Sequence, residues 1–187
     1  MTRRAIFLDR DGVINVNRPD HVKSWDEFVF LPNSLEALRR IVASDFLVIV
    51  TTNQAAIARG LVEEATVRDI NARMVVEVER AGGRIDAVYY CPHLPEEKCK
   101  CRKPQPGLYL QAAREFGIDL ARSLVVGDAF ADVAAALAIG AKPILVLTGR
   151  GQEQHAHMAA NKHSGYEVAD DLLAVVEWIA REEGLVL

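Results

Sequence analysis

The chain lacks the features of membrane-bound, secreted and nucleic-acid-binding proteins. Nowhere in its 187 residues does an apolar run approach the roughly 18 residues needed to cross a membrane. Too few apolar residues lie near the amino terminus for a signal peptide. The net charge is -4, from 26 acidic and 22 basic residues, and the basic residues form no block. We therefore expect a cytoplasmic protein that binds neither membranes nor nucleic acids.

Cysteine is also scarce, and its placement is informative. The chain has three cysteines, which cannot all pair internally. Cys99 and Cys101 are too close for an ordinary disulfide framework. Cys91, Cys99 and Cys101 lie in one short stretch with His93, and three thiolates with one imidazole are the ligands of a closed structural zinc site. We predict a zinc-binding loop at residues 91–101. The alternative is a set of reduced thiols that bind no metal.

The content of hydrophobic and charged residues is typical of one folded domain. Hydrophobic residues make up 50% of the chain and charged residues 26%, which is enough for one sizeable core. There is no internal repeat, low-complexity tract or long linker, so residues 1–187 are predicted to form a single domain. Residues 13–32 have no regular pattern and are long enough to act as a flap.

Apolar runs alternate with helical periods along the chain. They predict strands at 5–8, 46–50, 85–90, 124–126 and 144–147, and helices at 34–43, 66–80, 106–116, 131–139, directly after 150 and at 171–181. This alternation predicts a three-layer α/β fold, in which helices cover both faces of a parallel sheet.

The segment that follows the first strand carries the strongest chemical signal. Its apolar residues end at Asp9, and Asp11 and Gly12 come next. Ligands in open α/β sheets bind at the carboxyl ends of the strands. Two carboxylates this close repel each other unless a cation neutralises them or one of them is protonated. The pair predicts a magnesium site, and the alternative is a pair of solvated loop carboxylates.

The other strand ends add groups that suit the same chemistry. The polar side chains expected at this edge are Asp9, Asp11, Asp128, Thr52, Asn53 and Lys103. Phosphoryl transfer needs a hard cation on oxygen ligands, donors for the phosphate oxygens and an in-line nucleophile. Three carboxylates with a hydroxyl, an amide and a lysine match these needs.

Four segments resemble the motifs of the haloacid dehalogenase superfamily of phosphatases. They are residues 9–15 (Asp-Arg-Asp-Gly-Val-Ile-Asn), 52–54 (Thr-Asn-Gln), 101–107 (Cys-Arg-Lys-Pro-Gln-Pro-Gly) and 126–128 (Val-Gly-Asp). More narrowly, they resemble the heptose bisphosphate phosphatase branch, which also includes histidinol phosphate phosphatases. The resemblance spans about residues 5–148. It implies a Rossmann-like sheet with a minimal cap and, in this branch, a zinc loop.

The resemblance also implies roles for these residues. Asp9 would attack phosphorus to give an aspartyl-phosphate, and Asp11 would act first as acid and then as base. Magnesium would be held by Asp9, the main-chain carbonyl of Asp11 and Asp128, while Thr52 and Lys103 stabilise the transferring group. The implied substrate-binding residues are Asn17, Asp20, Thr52, Asn53, Gln54, Arg102 and Lys103.

Two positions leave the roles open. Ala129 stands where relatives often carry lysine, so one contact of the family is expected to be missing. Asp132 falls in the first turn of a predicted helix. There it can be a partner of the helix dipole, an acid that contacts the metal's ligands, or a magnesium ligand itself.

The function implied is a Mg-dependent phosphatase acting on a small sugar phosphate. The expected substrate is D-glycero-D-manno-heptose 1,7-bisphosphate, attacked at the 7-phosphate, and the expected protein is a monomer. One alternative keeps the chemistry and changes the substrate to histidinol phosphate. Others are a phospho-accepting receiver domain and a zinc-stabilised binding module without activity.

Overall fold

A computed structural model describes residues 2–184 of the chain, and this part contains six strands and six α-helices. The strands are β1 (Ala5–Leu8), β2 (Leu47–Asn53), β3 (Ala87–Cys91), β4 (Leu124–Gly127), β5 (Lys142–Val146) and β6 (Glu167–Ala169). The helices are α1 (Ser34–Arg40), α2 (Glu64–Arg80), α3 (Gly107–Phe116), α4 (Phe130–Ala138), α5 (Gly151–Ala160) and α6 (Leu172–Glu183).

The strands form one parallel sheet in the order β3-β2-β1-β4-β5-β6. β1 lies inside the sheet, where Leu8 pairs with Val50 of β2 and Val126 of β4. The strand order therefore reverses direction at β1, and the residues that follow β1, β2 and β4 meet at one edge. In open α/β sheets this point of reversal is where ligands bind.

Side chains alternate between the two faces of the sheet, as the period of a strand requires. On β1, Ile6 and Leu8 pack on one face, and Ala5 and Phe7 on the other. Helices α1, α2 and α6 cover the first face, whereas α3, α4 and α5 cover the second. The predicted three-layer α/β fold is confirmed.

The five predicted strands and six predicted helices are all present, with shifts at their ends. β2 runs on to Asn53, which places part of a predicted binding motif on the strand itself. The helix predicted to end at residue 43 becomes a 3-10 turn over Ile41–Ala43. β6 was not predicted. It is short, and Glu167 and Val168 are exposed, so it has no apolar run to mark it.

Residues 13–32 connect β1 to α1 with only one short 3-10 turn, Trp25–Glu27. Val22 and Phe28 in this flap are buried in the core of the first face, and the Trp25 ring stacks on Phe28 with centroids 5.0 Å apart. The described part of this connection contains no further helix or named strand, so the expected minimal cap is confirmed.

No helix in the described part of the chain combines the length and the apolar character needed to span a membrane.

Candidate active site

Three buried carboxylates meet at the carboxyl edge of the sheet. Asp9 follows β1, Asp128 follows β4, and Asp132 lies in the first turn of α4. One oxygen of each lies within 4.8 Å of the others. Hard divalent cations such as Mg²⁺ take oxygen ligands, and uncompensated carboxylates would repel each other here. The donor set therefore fits Mg²⁺, with Asp9, Asp128 and Asp132 all within reach of one ion.

Two glycines allow the loops to approach these carboxylates. Gly12 has a φ of +92°, and a Cβ there would overlap the Asp128 carboxylate. A Cβ at Gly127 would overlap the side chain of Asp132. Each glycine adjoins an acidic residue in the sequence, and this pairing signals a close approach of backbone to a binding site.

Lys103 is a buried cation that joins two of the carboxylates. Its Nζ lies 3.0 Å from Asp9 Oδ1 and 2.6 Å from Asp132 Oδ1, and it donates to the carbonyl of Thr51 at 2.8 Å. Burial opposes its charge, but the two carboxylates outweigh burial and raise the pKa of Lys103. Lys103 is therefore a fixed positive charge beside the predicted nucleophile. Asp132 contacts it directly, a pairing that the sequence alone did not indicate.

Asn53 fixes the backbone of the lysine. Its Oδ1 accepts from the Lys103 N–H at 3.1 Å, and its Nδ2 donates to the Lys103 carbonyl at 3.2 Å. Thr52 is also buried beside this pair, at the end of β2, and lines the same cavity as Asp9. The two neutral donors expected at the strand end are thus brought to the site.

Asp11 is surrounded by hydrogen-bond donors. Arg10 Nη2 lies 3.0 Å from each carboxylate oxygen, Asn15 Nδ2 donates at 2.9 Å and Gln54 Nε2 at 2.8 Å. Burial works against the charged form of Asp11, but the Arg10 guanidinium and these donors prevail and lower its pKa. Gln54, predicted to bind substrate, instead lies behind Asp11 and also donates to Thr52 at 2.9 Å.

Arg10 is a site residue that sequence reasoning missed. Its side chain is fully buried, and Nη1 donates to Asn71 Oδ1 at 3.0 Å. Buried arginines are rare unless paired, so an arginine between two acidic residues just after a buried strand was a usable signal. Its role is to hold Asp11 in place.

Asp9 has the opposite electrostatic setting from Asp11. Burial raises its pKa to about 6, the negative charges of Asp132 and Asp11 add to the rise, and Lys103 opposes it. A further positive charge beside Asp9 would favour its ionised form and lower this pKa, which agrees with a cation site between Asp9 and Asp128.

A cavity of about 530 Å³ opens above Asp9. The predicted site residues that line it are Asp9, Asp11, Asn17, Thr52, Asn53, Arg102 and Lys103. Asp20 does not line it; its side chain is exposed and forms ion pairs with Arg18 and Lys23. The lining residues that were not predicted include His21, Phe130, Arg150 and Gln154.

The second cluster is the predicted zinc loop. Cys91 Sγ lies 3.5 Å from His93 Nδ1 and from Cys99 Sγ, and Cys101 Sγ lies 3.2 to 3.4 Å from the other three ligand atoms. All three cysteines are free thiols. Zinc ligands stand about 2.0–2.3 Å from the ion, so four soft donors this close together fit one Zn²⁺.

The predicted zinc loop is connected to the lysine side of the site. Arg102 and Lys103 follow Cys101, and Arg102 Nη1 donates to the carbonyl of His93 at 3.1 Å. The N–H of Gly107 donates to the carbonyl of Lys100 at 2.9 Å, which closes the other end of this turn. A metal that fixes Cys101 would therefore also fix the approach of Lys103 to Asp9.

Known proteins are similar to this chain. The HAD-hydrolase-like family model matches residues 100–175 of the chain. The D-glycero-beta-D-manno-heptose-1,7-bisphosphate 7-phosphatase of Bordetella bronchiseptica is 42% identical over 179 residues, which is 96% of this chain and 99% of that protein. The protein of the same name from Pseudomonas aeruginosa is 39% identical over 175 residues, which is 94% of this chain and 97% of that protein.

Solved structures agree with the sequence relatives. The crystal structure of D,D-heptose 1,7-bisphosphate phosphatase from B. bronchiseptica, complexed with magnesium and phosphate, matches with a TM-score of 0.90 and 42% identity. The match covers 96% of this chain and 99% of that one. The enzyme of that name from Burkholderia thailandensis matches with a TM-score of 0.73 and 38% identity, covering 95% of this chain and 98% of that one.

Proposed function

This chain belongs to the HAD-like hydrolases, among the phosphatases of the heptose bisphosphate branch, and we propose that it removes the 7-phosphate from D-glycero-β-D-manno-heptose 1,7-bisphosphate. The observation that carries the proposal is the position of Asp9. Its carboxylate lines a cavity large enough for a sugar phosphate and is flanked by Lys103, Asp128 and Asp132. The names of the relatives supply the substrate.

Asp9 is the proposed nucleophile. A carboxylate oxygen of Asp9 bonds to phosphorus, and the bond from phosphorus to the sugar oxygen breaks, which leaves an aspartyl-phosphate. Lys103 lies 3.0 Å from Asp9 and would offer a positive charge to the phosphate oxygens. Mg²⁺ held by Asp9, Asp128 and the main-chain carbonyl of Asp11 would offset the negative charge of the nucleophile and the phosphate.

Asp11 is the proposed acid and base. It gives a proton to the departing sugar oxygen, then takes one from the water that attacks the aspartyl-phosphate and frees Asp9. Arg10, Asn15 and Gln54 favour its charged form, which suits the base role. A bound phosphate adds negative charge beside Asp11 and favours the protonated form that the acid role needs.

Some of the residues predicted to bind substrate line the cavity, and others lie outside it. Asn17, Thr52, Asn53 and Arg102 line the cavity and are proposed to contact the substrate, whereas Gln54 acts through Asp11 and Thr52. For Asp20, the position favours a different role: it anchors Arg18, which does line the cavity.

The alternatives are less well supported. A receiver domain of the flavodoxin type has the strand order 2-1-3-4-5, whereas this sheet has the order 3-2-1-4-5-6. An inactive zinc-binding module does not explain why three buried carboxylates lie close together. Histidinol phosphate keeps the same chemistry, but the relatives described above are named for the heptose bisphosphate.

The proposal also covers the domain organisation, the oligomeric state, the zinc site and the location of the protein. The chain is proposed to work as one domain and as a monomer, with the cysteine and histidine cluster holding a structural Zn²⁺. A cytoplasmic location agrees with these ligands, since thiols stay reduced there.

Phosphate release from different substrates tests the proposal. Both anomers of the heptose 1,7-bisphosphate and histidinol phosphate are compared at equal concentration with Mg²⁺ present. We expect the highest kcat/KM for the β-anomer, and we expect Asp9→Asn to abolish release from every substrate. Faster release from histidinol phosphate would transfer the proposal to that substrate, and full activity of Asp9→Asn would reject the mechanism.

A further inference from the structure

Arg150 contacts a carboxylate that the proposed mechanism assigns to Mg²⁺. Its main-chain N–H donates to Asp128 Oδ2 at 2.9 Å, and its Nη2 lies 3.3 Å from Asp128 Oδ1. Asp128 has no exposed side-chain surface, whereas the side chain of Arg150 is 52% exposed and lines the cavity. One arginine thus connects a buried metal-site carboxylate to the space where substrate would lie.

The backbone around Arg150 keeps it beside Asp128. Gly149, just before it, has a φ of +58°, and a Cβ there would overlap the Asp128 carboxylate. The N–H of Gly151 donates to the carbonyl of Thr148 at 2.8 Å and closes the turn. The main chain is therefore built around Asp128, while the guanidinium lies at the end of a long side chain that is half exposed.

The guanidinium and Mg²⁺ cannot share Asp128 at low cost. Both are cations that favour the charged form of the carboxylate. Two cations bound to one carboxylate repel each other, so the binding of either one weakens the binding of the other. When Mg²⁺ binds, the main-chain bond to Oδ2 can persist, but the contact between Nη2 and Oδ1 is weakened by repulsion. A side chain that is half exposed has an open path into the cavity.

The released guanidinium would meet an anion there. Arginine binds phosphate oxygens with a planar pair of donors, which suits a phosphate ester better than a single carboxylate oxygen. We propose that Arg150 exchanges partners: it neutralises Asp128 in the metal-free protein, and Mg²⁺ binding transfers its guanidinium to a phosphate group in the cavity. This inference rests on the magnesium site of the proposed function.

The exchange couples the two binding events. Because Mg²⁺ must displace the guanidinium, Arg150 weakens Mg²⁺ binding to the free protein. Because the displaced guanidinium binds phosphate, Arg150 strengthens phosphate binding to the Mg²⁺-loaded protein. A residue with only a structural role would not affect the two affinities in opposite directions.

Isothermal titration calorimetry on Arg150→Gln tests the exchange. Mg²⁺ is titrated into the metal-free protein, and inorganic phosphate is then titrated into the Mg²⁺-loaded protein. We expect Mg²⁺ to bind about fivefold more tightly than to the wild type, and phosphate about tenfold more weakly. Arg150→Lys keeps the charge and should stay near the wild type for Mg²⁺, with phosphate binding between the two.

Two controls separate the possible failures. Arg18→Gln removes another arginine of the cavity, one whose ion pairs are with Asp20 and Glu27, and it should leave Mg²⁺ affinity unchanged. Equal or weaker Mg²⁺ binding by Arg150→Gln, or unchanged phosphate binding, would overturn the exchange alone. Equal Mg²⁺ binding by the wild type and Asp128→Asn would overturn both the metal site and the exchange.

The thermal midpoint gives a readout that does not depend on binding heats. In EDTA, Arg150→Gln leaves the buried Asp128 carboxylate without its cation, so Tm should fall by a few degrees. At saturating Mg²⁺ the midpoint should equal that of the wild type. A fall of the same size in both conditions would show a general packing defect and would contradict the exchange.

Discussion

Asp9 links the pH dependence of the reaction to magnesium. Burial raises its pKa to about 6, and only its charged form attacks phosphorus, so kcat/KM should fall as the pH drops below about 6. Protons and Mg²⁺ compete for the same carboxylate, so more Mg²⁺ should move this fall to lower pH. The measurement is kcat/KM from about pH 5 to 8 at low and at saturating Mg²⁺. If the pH at which kcat/KM falls to half is the same at low and at saturating Mg²⁺, this role of Asp9 is contradicted.

A substitution at Gly12 tests how closely the turn after β1 packs against Asp128. Gly12→Ala places a methyl group where the Asp128 carboxylate lies, in addition to straining a residue with a φ of +92°. We expect at least a hundredfold loss of kcat/KM and weaker Mg²⁺ binding, because a small misplacement of a catalytic group costs about that much.

Gly60→Ala is the matched control for Gly12. Gly60 also has a positive φ, +68°, but nothing lies within 4 Å of the added Cβ. This variant should lose a little stability and keep its activity. Equal losses of activity in the two variants would show that backbone strain, rather than contact with Asp128, is responsible.

At the scale of elements, the zinc loop should support the catalytic lysine. Removing the metal, or one ligand by Cys99→Ser, frees the turn that leads to Lys103, so both Tm and kcat should fall. Metal analysis should find about one zinc per chain, and the loss in kcat should exceed the change in KM. A zinc-free protein with full activity and unchanged Tm would show that the loop needs no metal.

Elements with a clear apolar pattern were predictable, and those without one were not. β1 and β4 are buried on both faces, so their hydrophobic runs mark them in the sequence. β6 pairs with β5 but exposes Glu167 and Val168, and no local pattern separates it from a loop. Its position depends on the strand beside it, which is a property of the tertiary fold.

The same distinction holds within the candidate site. Asp9 and Asp128 were predictable because each directly follows a strand end, and Asp11 because it lies two residues after Asp9. The partners of these groups were not, because Arg150 reaches Asp128 across 22 residues and Gln54 reaches Asp11 across 43. Sequence reasoning located the chemical groups, and only the structure shows which side chains hold them in place.

At the scale of the whole molecule, the described residues of one chain bring together the carboxylates, Lys103 and the cavity at one sheet edge. This agrees with the proposal that a monomer is active. We expect a mass near 20.6 kDa by light scattering and a specific activity that does not change on dilution. A stable dimer whose dissociation abolishes activity would show that a partner contributes to the site.

The central claim is that Asp9 carries the phosphoryl group during turnover. Crystals grown with Mg²⁺ and beryllium fluoride, which imitates a phosphoryl group, test this most directly. We predict beryllium bonded to an Asp9 carboxylate oxygen, with Lys103 beside its fluorine atoms. Beryllium bonded to Asp11, or found only away from both carboxylates, would contradict the mechanism.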